Sequence, residues 1–343
     1  MTVQSSTRPE VAPGQRRGGS KPPTEQPQRS RGVLGRLDVK YSPYLYIAPF
    51  FVLFGVFGLW PLIYTLRMSL YDWDLGSTVE TAKFVGFDNF TMFLGDEDFW
   101  NSVVNTIAMF LMSTIPQLIL ALILANALNK RLRGRTLLRM GVLIPNITSV
   151  AAVSIVFTQL YNRDFGLINW VLGLFGVDPI EWSAHSWSSW VAISSMVDWR
   201  WTGYNALIFL AAMQSIPRDI YESASIDGAS AWRQFWTMTV PMLRPTIIFV
   251  TIISTIGGLQ LYGEPLLFTG GGNPLLGGSD RQSQTVTMFL MEQFYMKFEL
   301  GRAATVAWLL FILIMIFSVI NFLFTRSLRS ADGKAKQRKA VKL

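Results

Sequence analysis

The sequence predicts an all-α integral membrane protein with six transmembrane helices and a cytoplasmic helical loop between the fourth and fifth. Three observations carry that prediction. Apolar runs of roughly 20 residues recur along the 343-residue chain, long enough to cross a ~30 Å hydrocarbon core. Charged residues make up only 15% of the chain, a deficit against the roughly 25% of soluble domains. Lys and Arg gather in segments whose alternation with the apolar runs gives one consistent orientation.

The elements follow in order. Residues 1–43 are polar, basic and rich in Pro, Gly, Ser and Gln. They lack the apolar core and small-residue cleavage site of a signal peptide and read as a disordered tail. A membrane domain then covers 44–325. Its spans are expected at about 44–66, 103–128, 137–160, 187–213, 246–262 and 303–324, the fourth being the least apolar. A second basic tail, 326–343, closes the chain. The N-terminal tail holds eight Lys and Arg, from Arg8 to Lys40. The loop after the second span is KRLRGR, with Lys130, Arg131, Arg133 and Arg135, and the C-terminal tail runs from Arg326 to Lys342. With six spans all three fall on one side. The other side carries Asp72, Asp74, Glu80, Asp88, Asp96, Glu97 and Asp98 against Lys83. The positive-inside bias places both termini in the cytoplasm of a plasma-membrane protein. Trp60, Trp73, Trp100, Trp170, Trp182 and Trp187 lie near the expected outer boundary, where indole rings favour the lipid headgroups.

Several function classes are excluded or disfavoured. The net charge of +8 resides in the tails and one loop, so it reports topology, not nucleic-acid binding. The absence of Cys removes disulfides, thiolate metal sites and Cys nucleophiles. No phosphate-loop sequence G-x-x-x-x-G-K-[ST] is present, and no His, Cys or carboxylate cluster has metal-ligand spacing. His185, the only His, falls in an outer loop and suggests no catalytic triad.

The polar stretch 216–245, IPRDIYESASIDGASAWRQFWTMTVPMLRP, lies between two spans on the cytoplasmic side. Pro217 can open a helix at its first turn, and Asp219 and Glu222 suit its positive dipole end. Gly228 interrupts the pattern. A second helical stretch, 229–238, places Trp232, Phe235 and Trp236 on one side, and Pro241 and Pro245 break the chain before the fifth span. Two short helices bent at a glycine fit either a surface for a partner or an amphipathic hairpin lying on the membrane.

Glu222, Ala224, Gly228 and Pro241 stand at the spacing E-A-A, three residues, G, nine residues, I-x-L-P. The stretch therefore resembles the cytoplasmic loop of binding-protein-dependent ABC importer permeases. Ser223, Met238 and Val240 depart from the pattern by small or apolar replacements, and Asp227, Ala229 and Phe235 fit its sugar-importer version. The first span, FVGFDNF before the second and FTGGGNP after the fifth are similar to the carbohydrate branch. Within it the chain resembles the first permease subunit of maltose- and glycerol-phosphate-type importers, over about 44–324. The resemblance implies a coupling helix docked in a groove of a separate ATPase, with Glu222, Ala224, Asp227, Gly228 and Pro241 at that joint. It further implies a second, similar permease, two cytoplasmic ATPase subunits that bind ATP and Mg, and an extracytoplasmic sugar-binding protein. This chain itself would hold no cofactor and catalyse no reaction.

Polar groups inside a membrane are expensive and mark functional positions. The fourth span mixes Ser194, Ser195, Asp198, Arg200, Thr202 and Asn205 with Trp199, Trp201 and Tyr204. The fifth breaks at Gly257-Gly258 ahead of Gln260, Tyr262 and Glu264. Aromatic rings beside hydrogen-bonding groups suit a sugar, and short Gly/Pro-broken segments mark transporter sites. Asp198, Trp199, Trp201, Asn205, Gln260, Tyr262 and Glu264 are therefore the substrate candidates, with an interhelical polar network as the competing reading. The cargo expected is a disaccharide or oligosaccharide; the run from Gly258 to Pro265 is similar to cellobiose or β-glucoside systems. An ion-coupled secondary transporter using Asp198, Arg200 and Glu264 is the alternative of a different class.

Overall fold

A computed structural model of the chain describes residues 33–78, 80–130, 133–268 and 272–340. The expected tail residues 1–32, Arg131 of the basic loop, Thr269 to Gly271 of the FTGGGNP run and Lys342 lie outside the described residues. The chain divides into two units, 1–60 and 61–343.

In the first unit the described residues form α1 (Val33–Phe54) and a π-helical turn, Gly55–Leu59. The helix thus begins inside the stretch read as tail. Phe50 packs against Phe51 and Phe54 with ring centroids 5.4 and 6.2 Å apart.

The second unit begins at Pro61, within α2 (Trp60–Ser69). A two-stranded antiparallel ribbon follows, β1 (Tyr71–Asp72) with β2 (Lys83–Phe84), pairing Tyr71 with Phe84. Then come α3 (Asp88–Leu94), α4 (Glu97–Asn129), α5 (Arg135–Gly141), α6 (Ile144–Ile147), α7 (Val150–Leu160) and α8 (Leu167–Gly173). The long α9 (Ser186–Gln214) leads into α10 (Arg218–Ile226), α11 (Ala231–Gln234), a second π turn at Phe235–Thr239, and α12 (Val240–Met242). The chain continues through α13 (Arg244–Leu259), α14 (Gly263–Phe268), α15 (Val286–Tyr295) and α16 (Leu300–Ala340).

Among the described residues, three helical segments are long and apolar enough to span a membrane: Tyr44–Ser69, Glu97–Asn129 and Leu300–Leu323. Two bent pairs bring the number to as many as five, one over residues 135–160 bent by 89° and one over 231–259 bent by 69°. The expected fourth span is helical along its whole length as α9, yet it is not among these segments because Ser, Asp, Arg and Asn dilute its hydropathy. The expected third span is the bent pair α5–α6 with α7. Thr148 and Ser149 adopt extended backbone between the two arms, and the Thr148 hydroxyl donates back to the Ile144 carbonyl at 2.7 Å. A hydroxyl that bonds the neighbouring backbone competes with helix continuation.

α4 and α9 are the most extensively packed pair. Ala121 and Ala125 meet Ala206, Phe209 and Leu210 in a core that also takes in Met213, Ile216, Phe235, Leu243 and Val250. Small side chains let membrane helices approach closely. Gly203 carries this to its limit: a Cβ there would lie 1.7 Å from the Val142 carbonyl oxygen.

Four of the six boundary tryptophans are exposed, as membrane anchors should be, but Trp73 and Trp182 are buried. Trp182 donates its indole N–H to Asn169 Oδ1 at 3.0 Å and stacks edge-on to Tyr161. Trp73 packs against Tyr64 and Tyr71. Both are core residues because a partner satisfies or surrounds the ring.

Arg281, with φ of 53°, organises the segment before α15. Its guanidinium forks onto Glu292 at 2.5 and 3.0 Å and reaches Asp98 at 3.1 Å. Its carbonyl accepts from the side-chain amides of Asn101 and Asn105 at 3.0 and 2.8 Å. These bonds hold a backbone conformation that a non-glycine residue seldom adopts. Burial pushes the Glu292 carboxyl up, but hydrogen bonds from Arg281 and Gln284 and the charges of Arg281 and Lys297 outweigh it. Glu292 therefore titrates below the ordinary glutamate range.

Candidate functional site

Two places concentrate the candidate residues, the 216–245 loop and a cavity between α4, α9 and α13–α14.

In the loop, α10 ends in a specific cap. Gly228 takes φ of +75°. The Ala229 N–H then reaches the Ala224 carbonyl at 2.9 Å, and the Gly228 N–H reaches Ser225 at 3.1 Å. This double bond pattern satisfies the last carbonyls of a helix and needs a residue without a Cβ at the left-handed position. The spacing from Ala224 to Gly228 is thus the spacing of one helix terminus. Ser230 caps α11 by accepting the Arg233 N–H at 3.3 Å, and Gln234 Nε2 ties the two helices together through Ser225 Oγ and the Ala229 carbonyl. Tyr221 and Thr239 share a hydroxyl–hydroxyl bond of 3.0 Å across the bend.

The second stretch differs from the regular helix expected. It is a single α turn followed by the π turn, and Pro241 supplies the cause. Its ring removes a donor and crowds the carbonyl of the preceding turn, and inserting a residue is one way a helix accommodates that. The three aromatics expected on one side do cluster, with ring centroids 5.1 to 6.3 Å apart, but their burial differs. Phe235 is buried in the α4–α9–α13 core, while Trp232 and Trp236 face outward. Glu222, Asp227 and Gly228 are exposed, Ala224 is buried and Pro241 is half-buried. Ile226, at 86% exposed, stands at the end of α10 as an apolar side chain with almost no cover. Sequence reasoning missed it because an Ile in a helical pattern is ordinarily a core residue.

The cavity has a volume of about 410 Å³. Trp201, Asn205, Gln260, Tyr262 and Glu264 line it, together with Arg200, Tyr204, Gln117, Ser113 and Thr114. Asp198 and Trp199 are not among the lining residues. Trp199 packs on Phe157 with centroids 5.8 Å apart. Asp198 Oδ1 is buried without a hydrogen-bond partner among the described residues, as are the hydroxyls of Thr158 and Thr202. Arg200 and Glu264, both buried, form an ion pair that joins α9 to α14. Their separation of 64 residues put this pairing out of reach of sequence spacing. Asn205 donates to Gln117 Oε1 at 3.0 Å and to Ser254 Oγ at 3.4 Å, so this candidate also belongs to an interhelical network. Gln117 and Thr114 are cavity residues that the sequence did not single out, and Tyr204, noted beside Trp201, joins the candidates here. The only signal of Gln117 and Thr114 was polarity within an apolar helix.

Comparison with known proteins follows the same lines. The model of the binding-protein-dependent transport system inner membrane component family matches residues 92–336, well over half of the chain. The chain is 36% identical over 287 residues to the lactose transport system permease protein LacF of Rhizobium radiobacter, covering 82% of this chain and 93% of that protein. It is 33% identical over 277 residues to the trehalose/maltose transport system permease protein MalF of Thermococcus litoralis, covering 81% and 91%. A crystal structure of a bacterial ABC transporter involved in the import of alginate, an acidic polysaccharide, superposes with a TM-score of 0.70 at 18% identity, over 86% of this chain and 98% of that one. That likeness shows the fold. The matched region and the relatives agree, and the chain belongs to the family of inner membrane components of binding-protein-dependent transport systems.

Proposed function

We propose that this multi-pass membrane subunit of a carbohydrate ABC importer works as one of two permeases. Each would present a 216–245 loop to one of two cytoplasmic ATPase subunits, which bind ATP and Mg, and an extracytoplasmic binding protein would deliver a disaccharide or oligosaccharide. Six spans, with α9 as the fourth and both termini in the cytoplasm, put the loop on the ATPase side. The observation that carries the reading is the two-faced loop. One face shares a continuous core with α4, α9 and α13 through Ile216, Phe235 and Leu243. The other exposes Glu222, Ile226 and Trp232. A segment built in this way passes displacement from a docked partner directly into the helices that line the cavity. Family membership of the relatives supports the cargo class, and the Trp201, Tyr204 and amide groups of the cavity suit a sugar's apolar faces and hydroxyls.

An ion-coupled mechanism would need free intramembrane charges; Arg200 and Glu264 neutralise each other, which leaves it Asp198, whose Oδ1 has no hydrogen-bond partner among the described residues. Reconstitution of the purified complex in vesicles separates the two. Uptake driven by ATP and indifferent to ionophores is expected. Glu222→Lys is expected to cut ATPase co-purification and uptake by about tenfold or more while the chain still inserts in the membrane, because a charge reversal at a docked surface converts attraction to repulsion. Uptake that persists without ATP and collapses with the ion gradient would refute the proposal.

A further inference from the structure

The residues lining the cavity include only two charged ones, Arg200 and Glu264. The pair sits at 7% and 6% exposure, on two different elements that both border the same space. Every other polar group contributed by this chain, among them Gln117, Asn205 and Gln260, is neutral. A lone guanidinium in such a place would be the strongest recognition element present, because its fork matches a carboxylate. Glu264 already holds one arm of it, through Nη1. Arg200 Nε is buried and without a hydrogen-bond partner among the described residues.

We propose that Glu264 is a specificity-determining residue: by closing Arg200 into an ion pair it makes this chain's cavity wall electrically neutral and excludes sugar acids in favour of uncharged carbohydrate. The inference rests on the carbohydrate-importer reading above and narrows its substrate class. A uronic acid entering the cavity meets a carboxylate beside the only cation. Away from water the like-charge repulsion is poorly screened, while the attraction it needs is already taken. A neutral sugar meets no such obstacle and finds the neutral amides and hydroxyls of the lining. Selectivity of this kind works by rejecting the wrong ligand as much as by holding the right one.

The test uses the complete complex in nanodiscs. Binding is measured by calorimetry for lactose, maltose and cellobiose, and for matched disaccharides in which one C6 hydroxymethyl is oxidised to a carboxylate. The wild-type complex is expected to bind at least one neutral disaccharide about tenfold or more tighter than its uronide. Glu264→Gln frees Arg200 and is expected to shift that ratio toward the uronide by about tenfold or more. In the Arg200→Gln/Glu264→Gln double variant the gain is expected to disappear, since no cation remains. Equal or tighter uronide binding by the wild type overturns the proposal. So does an unchanged ratio in Glu264→Gln, or a gain that survives in the double variant. The wild-type ratio needs no variant, so poor assembly of Glu264→Gln leaves the proposal open to refutation. ATP-driven uptake that accepts uronides would sink this inference alone, whereas absence of binding and uptake for every sugar would remove the importer reading beneath it.

Discussion

Glu292 shows how a single side chain fixes a piece of backbone. It is 2% exposed, accepts both prongs of Arg281 and a further bond from Gln284 at 2.7 Å, and thereby holds Arg281 at its positive φ. Its folded pKa is depressed, so the stabilisation it gives is present above the unfolded value of about 4.3. It is lost as pH falls through the folded value. Thermal unfolding of the purified complex, followed by tryptophan fluorescence, is therefore expected to show an acid destabilisation below about pH 4 that Glu292→Gln removes. At neutral pH that variant is expected to melt lower than wild type by several degrees, because the half-buried Arg281 loses the carboxylate it forks onto and keeps only the exposed Asp98 as its anion. An unaltered acid limb in Glu292→Gln would contradict the role assigned to the carboxylate. None of this was legible in the sequence, where Arg281 and Glu292 are a loop cation and a helix anion eleven positions apart.

At the scale of elements, length and hydropathy predicted the helices well where one side of a helix faces lipid. α4 and α16 contain the expected second and sixth spans, and α13 begins two residues before its expected start. Prediction failed where tertiary contact decides. The 89° bend before α7 is set by two extended residues and by the close approach of α9 to the segment before α6, which a hydropathy profile cannot register. The π turn before α12 was hidden for a similar reason: Pro241 announces a break but not the form the break takes. The α9 seam gives a direct prediction. Gly203→Ala puts a methyl group against the Val142 carbonyl, where neither side is flexible, and overpacking of this kind costs about 1–3 kcal/mol. A lower melting temperature and a reduced yield of intact complex are expected on size-exclusion chromatography. A wild-type melt for Gly203→Ala would show that the α5–α6 arm does not press on α9 as described.

For the whole molecule, the loop motif carried most of the functional information because it encodes a helix terminus with a required glycine, and such a requirement is visible as a spacing. The cavity was legible only in part. Trp201, Asn205, Gln260, Tyr262 and Glu264 come together around it because they flank breaks or interrupt apolar runs. Asp198 and Trp199 share the same composition but turn to another face of α9, and composition does not report helix rotation. Orientation is directly testable because the chain contains no Cys. Ile226→Cys is expected to react with a membrane-impermeant maleimide in inverted vesicles stripped of the ATPase subunits and to stay unlabelled in intact cells. Labelling from the cell exterior would reverse the proposed topology.

The shared core beneath the 216–245 loop also bears on how such permeases can be recombined. A loop transplanted into another permease by its E-A-A to Pro boundaries alone would carry Phe235 into a foreign pocket and leave behind Ile216 and Leu243, which complete its own. Chimaeras that exchange the buried trio together with the exposed segment should tolerate the swap. Those that exchange only the outward residues would test ATPase choice without disturbing the scaffold. The natural unit of exchange is therefore set by which side chains touch, and it is longer than the motif by which the loop is recognised.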